Sequence, residues 1–504
     1  MKKIFLVIIL TLFFSSNNNY AQAKFVPESN LGLLFERNAG NTIYQQFSNP
    51  AHLFEDWHEE ILYIRSGASG EEGDFRPFVQ PGRLMFFTQS VSGKKQIDSL
   101  QIFRGSFQVQ KQIRANWDWF ATRDMLFGMP FLLGDSSRGD TRFNGIAMSA
   151  EYCRKINKFH LGASLDYYVD EGLKKVSPKP TSKHRDIVFR IGAEFHPSNK
   201  WQLSALFSVA DNQEEIYYRE DQSSYYQETT LFKFRGYDFP LVFNKKTETR
   251  YGYFNEYGVV GAAKYSTENG SSLTTFFEQR LQQNDIKDNS VNPQNQGYWQ
   301  NVIYAGGFRG RIHFSRMMLT TDYRFQTESS WAKHPDFRTL VTETEIPEHQ
   351  FSLGGTYLLN PKISAGLEIK TNFQKIDYRD YYSDVDWSVK RLNWQEQAGV
   401  RVEWRPALFT FFSVSTFQGL VSDDFLSDGL HSDFWQVRKA DVEYFFAESS
   451  GYRFDFELMF YLKYFGFVQW HLGWQQLSSA DKSYFHGKNR SQLSTALTLQ
   501  LKAY

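Results

Sequence analysis

Twice in this chain a histidine stands two residues before a serine, in His313-Phe314-Ser315 and in His196-Pro197-Ser198. On a β-strand that spacing puts both side chains on one face, so the imidazole can take the hydroxyl proton and activate a serine nucleophile. Both matches fall at short links where Ser and Pro are ordinary turn formers, and a chain with 11 histidines meets the spacing by chance. The histidines show no H-x-x-x-H or H-E-x-x-H spacing and no Cys/His cluster, so no metal set is read from them. No G-x-S-x-G elbow or phosphate-binding glycine loop appears either. Arg138-Gly139-Asp140 has the form of an integrin-type adhesion tripeptide, but it lies in a Gly/Ser/Asp-rich stretch, Gly134 to Thr141, where those residues serve the backbone. The expectation is a protein without enzymatic activity, cofactor or metal.

The elements that would position any site have a clear composition. The 56 basic and 56 acidic residues cancel, so nothing favours a nucleic-acid partner. Mean hydropathy is −0.50, yet 17% of residues are aromatic, with 48 Phe, 28 Tyr and 12 Trp. Beyond the N-terminus no run approaches the ~18 apolar residues of a spanning helix. The chain opens with Lys2 and Lys3, the apolar run Ile4 to Phe14, then Ala21-Gln22-Ala23. This pattern predicts a secretory signal peptide over 1–23, cut after Ala23. Cys153 is the only cysteine, so no intramolecular disulfide is available.

Alternation recurs along the chain. Ile187, Phe189, Ile191 and Phe195 alternate with Arg190, Gly192 and Glu194; Leu392, Trp394, Ala398 and Val400 oppose Asn393, Gln395 and Arg401. Such segments read as strands with one apolar face. Short links (155–158, 196–200, 313–315, 360–362) alternate with long polar ones (170–184, 211–253, 283–297, 329–347, 376–390, 420–433, 478–490). Tight periplasmic turns and long extracellular loops are the asymmetry of an outer-membrane barrel. The expected fold is therefore all-β: a transmembrane antiparallel β-barrel of about 18 strands (range 14–20) over 59–504. A periplasmic or lumen-plugging arm is expected over 24–58.

Two segments decide the strand count. Residues 433–447 read as one strand. The stretch from Gly451 to Gln476 keeps its aromatic face on even positions throughout, from Tyr452 to Trp474. A two-residue hairpin would switch that parity, so 452–476 reads as a single long strand leaving the membrane, with two strands kept as the alternative because one would rise about twice the apolar band. The loop 211–252 carries Phe234, Arg235, Tyr237 and Phe239, expected as a constriction in the barrel mouth or a partner contact, with part of the loop as two strand extensions above the membrane as the alternative. Ser177-Pro178-Lys179-Pro180 is a stiff basic loop able to meet lipopolysaccharide.

Four resemblances accompany this reading. Gly128 to Ser136, Phe143 to Tyr152, Leu161 to Tyr168 and Pro178-Lys179-Pro180 before Asp186 to Phe195 are similar to a Bacteroidota outer-membrane β-barrel family known only as a domain of unknown function. Phe47 to Ala51, an F-x-N-P-A element, resembles the arm of fatty-acid-transporter-like barrels, which implies a lumen hatch at Asn49, Pro50 and Ala51. Leu497, Leu499, Leu501 and the terminal Tyr504 resemble the signal read by the barrel assembly machinery, although Tyr504 falls on the polar parity. The two His-x-Ser pairs match the spacing of an outer-membrane phospholipase. Neither barrel resemblance carries a catalytic residue. The implied partners are outer-membrane lipids and lipopolysaccharide, the assembly machinery, and a TonB-dependent transporter or surface lipoprotein. The expected role is a channel or transporter for a small or hydrophobic solute in the bacterial outer membrane. The alternatives are a non-conducting accessory barrel and, as a minor one, a lipid hydrolase.

Overall fold

The structure, a computed structural model, describes residues 49–54 and 61–502 except 78–79, 119–121, 124–125, 136, 177–178, 220–228, 237, 239, 246, 290, 338, 406, 428–434, 463–465 and 480–486. In chain order the strands are β1 (Ile61–Gly73), β2 (Arg83–Asp98), β3 (Gln101–Trp117), β4 (Leu133–Gly134), β5 (Gly139–Ile156), β6 (Phe159–Lys174) and β7 (Thr181–Ser198). Next come β8 (Trp201–Arg219), β9 (Thr229–Lys233), β10 (Leu241–Lys245), β11 (Thr247–Ser266), β12 (Ser272–Asp288), β13 (Gln294–His313) and β14 (Met317–Lys333). The last are β15 (Thr342–Asn360), β16 (Ile363–Asp380), β17 (Val385–Arg405), β18 (Leu408–Leu426), β19 (Ser449–Leu462), β20 (Gly466–Ser479) and β21 (Asn489–Lys502). A helix, α1 (Trp435–Phe446), stands between β18 and β19, and Pro50–Phe54 forms a single 3-10 turn.

Eighteen of the strands form one antiparallel sheet, and the short β4, β9 and β10 form a second. The large sheet closes because β1 pairs with β2 on one side and with β21 on the other, from Ile61↔Lys502 to Gly73↔Arg490. Closure leaves no strand edge unpaired, the condition a sheet must meet in hydrocarbon. The result is a closed β-barrel of the outer-membrane type.

The apolar parity sets the lipid face. On β8 the outward positions Trp201, Leu203, Ala205 and Phe207 are exposed, Val209 is half-buried on the same face, and Asp211, Gln213 and Glu215 continue that parity. Residues 201–209 rise roughly 19 Å at ~3.3 Å per residue and ~45° tilt, within the ~25 Å apolar band. Beyond Val209 the strand is wall standing in water. Much of what reads as long loops in the sequence is therefore strand extension, and the true connections on that side are shorter.

The structure corrects two segments. The stretch 452–476 is two strands, β19 and β20, paired from Ser449↔Ser479 to Leu462↔Gly466. The link 463–465 has three residues, so partners differ by an even number and apolar parity survives the turn. The expected switch holds only for links with an even number of residues. Gly466 sits at φ +104°, and a Cβ there would lie 2.1 Å from the Gln500 carbonyl oxygen. The second correction is 435–446, a helix instead of a strand. β18 pairs directly with β19, from Leu408↔Phe460 to Gly419↔Ser449, so the sheet has no place for another strand between them. Val442, Phe445 and Phe446 fall at i, i+3 and i+4 and pack on the inner wall. One strand lost and one gained leave the count at eighteen.

Gly466→Val is expected to cost at least ~1–3 kcal/mol from backbone strain alone, before the clash with Gln500. The fraction refolding in detergent to the fast-migrating, heat-modifiable form should fall sharply. Gly70→Ala, where an added Cβ meets nothing within 4 Å, should refold like the parent.

Candidate functional site

Both ends of the lumen hold built structure. At the loop side, the segment after β3 crosses the mouth. Gly128, in the left-handed region at φ +78°, receives a 3.2 Å hydrogen bond on its carbonyl from the Thr342 hydroxyl of β15. In the ring order β15 lies opposite β3, so this segment runs from one side of the barrel to the other. Phe131 reaches β13, where Gly297 leaves room for its ring: a Cβ there would lie 2.4 Å from it. The segment then forms β4, which pairs with β9, and Phe234 N–H donates to the Leu132 carbonyl at 2.8 Å. Trp117, Phe131, Phe143, Phe232, Phe234 and Trp299 share one apolar cluster.

Helix α1 fills the neighbouring sector. It packs on Ile346, Ile376, Tyr378, Val385, Trp387 and Val389, the inward residues of β15, β16 and β17. Phe127 joins the two sectors, edge-on to Trp387 at 6.4 Å and to Phe445 at 5.5 Å. Tyr444 meets Phe75 of the β1–β2 loop at 5.0 Å.

Buried ion pairs pin these insertions to the wall. Asp288 at the end of β12 accepts from Arg250 Nε at 2.7 Å and from Arg250 Nη2 at 3.0 Å. Lys233 of β9 lies 2.6 Å from the same carboxylate and 3.2 Å from Glu248. Lys174 of β6 holds Asp135, next to β4, at 2.7 Å. Among the loop groups, burial lowers the Arg76 guanidinium to about 10, still cationic at neutral pH. Burial, helped by the nearby Arg235, also holds His334 below its ordinary pKa, so its Nδ1 accepts from the Asp336 N–H at 3.1 Å.

Beneath the crossing segment lies a cavity of about 230 Å³. Leu126, Met129, Phe131, Ile216, Phe254 and Ile286 line it together with His184, Glu214, Arg250 and Asn284. Glu214 is already engaged, accepting from the Arg123 N–H at 2.5 Å and the Ser182 hydroxyl at 2.8 Å. The Asn284 amide donates to Met129 sulfur at 3.1 Å, while its side-chain oxygen is buried without a hydrogen bond. Thr122, Asn212 and Gln213 complete a lining that is polar as well as apolar, a space that suits one small molecule.

At the turn side, Asn49, Pro50 and Ala51 lie on the inner wall. Asn49 Nδ2 donates to the Ala205 carbonyl at 3.1 Å, and its Oδ1 accepts from the Ala51 N–H at 3.0 Å. Gly162 and Gly192 let this turn approach the backbone, because a Cβ at either would overlap Pro50 or Asn49. Beside it His160, Glu194 and His196 come together, with one ligand atom from each within 4.8 Å of the others. Sequence reading missed this set because it looked for short spacings. The signal was E-x-H on one face of β7 plus the strand register that sets His160 opposite Glu194.

Of the other expected site residues, Phe234 is buried in the mouth and Arg235 pairs with Asp336 at 3.5 Å. Leu497 faces outward, and Leu499 and Leu501 pair with Ile64 and Leu62 of β1. Ala21, Ala23, Tyr237, Phe239 and Tyr504 lie outside the described residues. Ser315 is exposed in a turn, and the Ser198 hydroxyl accepts from the Lys200 N–H at 3.3 Å.

Asp288→Asn removes the charge that Arg250 and Lys233 share. Breaking a buried pair of this kind costs about 3–5 kcal/mol. Limited proteolysis should then cut within 229–245 while the barrel stays folded. Glu268→Gln, which touches only an exposed pair with Lys200, should leave the digestion pattern unchanged.

No protein of curated function matches the chain. Solved barrels align at low identity. The alcaligin outer-membrane receptor of Bordetella pertussis matches with TM-score 0.39 and 10% identity over 87% of this chain and 75% of that one. The siderophore receptor PiuA of Acinetobacter baumannii gives 0.41 and 7% over 88% and 82%. A ferric enterobactin receptor variant of Pseudomonas aeruginosa gives 0.41 and 8% over 88% and 82%. Residues 50–501, most of the chain, match one family profile, and the chain belongs to the family of unknown function DUF6850.

Proposed function

We propose that this protein is a gated channel or transporter of the bacterial outer membrane, carrying a small or hydrophobic solute, with no catalytic role. The observation that carries the reading is where the lumen charges go. Arg104 pairs with Glu151 and Arg190 with Asp166, each on an adjacent strand. Arg309 pairs with Asp322 in the same way, and Arg453 with Asp455 along one strand. Arg324 reaches Glu278 two strands away. Among the described residues these pairs follow the wall and none spans the lumen. Barrels of 16–18 strands are wide enough to leave an aqueous passage. What closes this one is the pair of mouth insertions and α1, elements that can move without breaking the sheet.

The cavity under Phe131 is the entry site in this reading, and its mixed lining favours a small solute with both apolar and polar groups. Outer-membrane lipid and lipopolysaccharide surround the apolar belt, and a TonB-dependent transporter or surface lipoprotein is the partner class to look for.

The test is conductance in planar bilayers. The parent should stay closed or flicker, and a variant with 428–447 replaced by a short glycine-serine linker and the β9 tether released by Asp288→Asn should give stable stepwise conductance. A variant that is folded by gel mobility yet silent would defeat the channel reading and favour a non-conducting accessory barrel.

A further inference from the structure

We propose that His160, Glu194 and His196 form a binding site for a divalent transition-metal ion of the zinc class on the lumen wall behind the Asn49–Phe54 turn.

The register builds the site. Glu194 and His196 are two apart on β7 and project to the same inward face, and His160 of β6 stands directly opposite Glu194. His160 Nδ1 lies 3.2 Å from Glu194 Oε2, and His196 Nε2 lies 3.0 Å from Glu194 Oε1. Ligand atoms ~2.0–2.1 Å from a tetrahedral zinc are about 3.4 Å apart. The three groups need only small side-chain rotations to meet one ion.

Charge gives the stronger argument. The Glu194 side chain is 0% exposed, and its ion-pair partners among the described residues are these two imidazoles. Glu194 Oε1 is buried and makes no hydrogen bond, although it faces the His196 ring. A buried carboxylate that meets only imidazoles is a costly arrangement unless a cation joins them. A divalent ion removes that cost and uses both ring nitrogens as lone-pair donors.

The donor set selects the class. Two imidazoles and one carboxylate suit zinc and its first-row neighbours and disfavour calcium and magnesium, which take oxygen shells. Cys153 stays outside the set: its thiol lies 3.5 Å from the Ala51 carbonyl and donates there. His196 is one-third exposed, so a further coordination position faces the lumen. Phe54 covers the other side, its ring 5.1 Å from His160. An ion here would brace the β6–β7 wall on which the turn rests.

The experiment uses the full mature barrel in detergent, with its affinity tag removed and EDTA dialysed away, titrated with Co²⁺. One equivalent should bind with visible d–d bands, Zn²⁺ should displace it, and equimolar Ca²⁺ should not. Glu194→Gln and His196→Ala should each weaken Co²⁺ binding at least tenfold. His196 is at the strand end and partly exposed, so His196→Ala carries the test if Glu194→Gln misfolds. Absence of saturable binding by the parent, displacement by Ca²⁺, or parent-like affinity in the folded variants would overturn the site.

Discussion

Pairing β1 to β21 commits the chain to a ring whose width side chains cannot fill. In hydrocarbon every backbone N–H and C=O must be satisfied within the sheet, and closure is the only way a sheet achieves this. Eighteen strands then set the lumen, and the wall side chains that face it pair with near neighbours instead of crossing it. Closing such a barrel falls to segments outside the sheet. That explains why the largest buried clusters sit in the mouth, where the β3–β5 segment, β9 and α1 bring apolar residues of their own.

The tethers at the mouth are ionic as well as apolar. A buried ion pair adds little net stability over an apolar replacement, because both partners lose water. It is costly only when broken one partner at a time. Asp288 shared by Arg250 and Lys233 therefore fixes where β9 sits on the wall without making the insertion much tighter. An insertion that is positioned strictly but held with modest net energy suits the gated channel proposed above.

How much of this was legible depends on the interaction. The strand faces were, since lipid demands an apolar residue at every second position and the sequence shows it on β7, β8 and β17. The mouth was visible only as apolar residues in a loop, among them Phe234; their partners lie across the barrel and leave no local pattern. Helix α1 read as a strand because Trp435, Tyr444, Phe445 and Phe446 are aromatic and aromatics also favour strands. Its i, i+3, i+4 stripe of Val442, Phe445 and Phe446 was the discriminating sign. The β19–β20 hairpin failed through one assumption, a two-residue turn, since Gly466 already offered the positive φ a turn needs. His160 stands 34 positions from Glu194. Only a register makes them neighbours.

Three inward glycines record where something leans on the wall. A strand gains nothing from glycine at a lumen position, since the side chain it lacks is packing and entropy forgone. Gly162 and Gly192 sit under Asn49 and Pro50, and Gly297 sits under the Phe131 ring, each at distances no Cβ would permit. Gly261 faces outward, and nothing lies within 4 Å of an added Cβ. The two groups mark two contacts made by different segments at opposite ends of the lumen. Because no side chain can be added at these positions without displacing the turn or the crossing segment, the seat for each was built into the wall strands themselves. The wall and its two closures are thus one sequence problem, solved strand by strand.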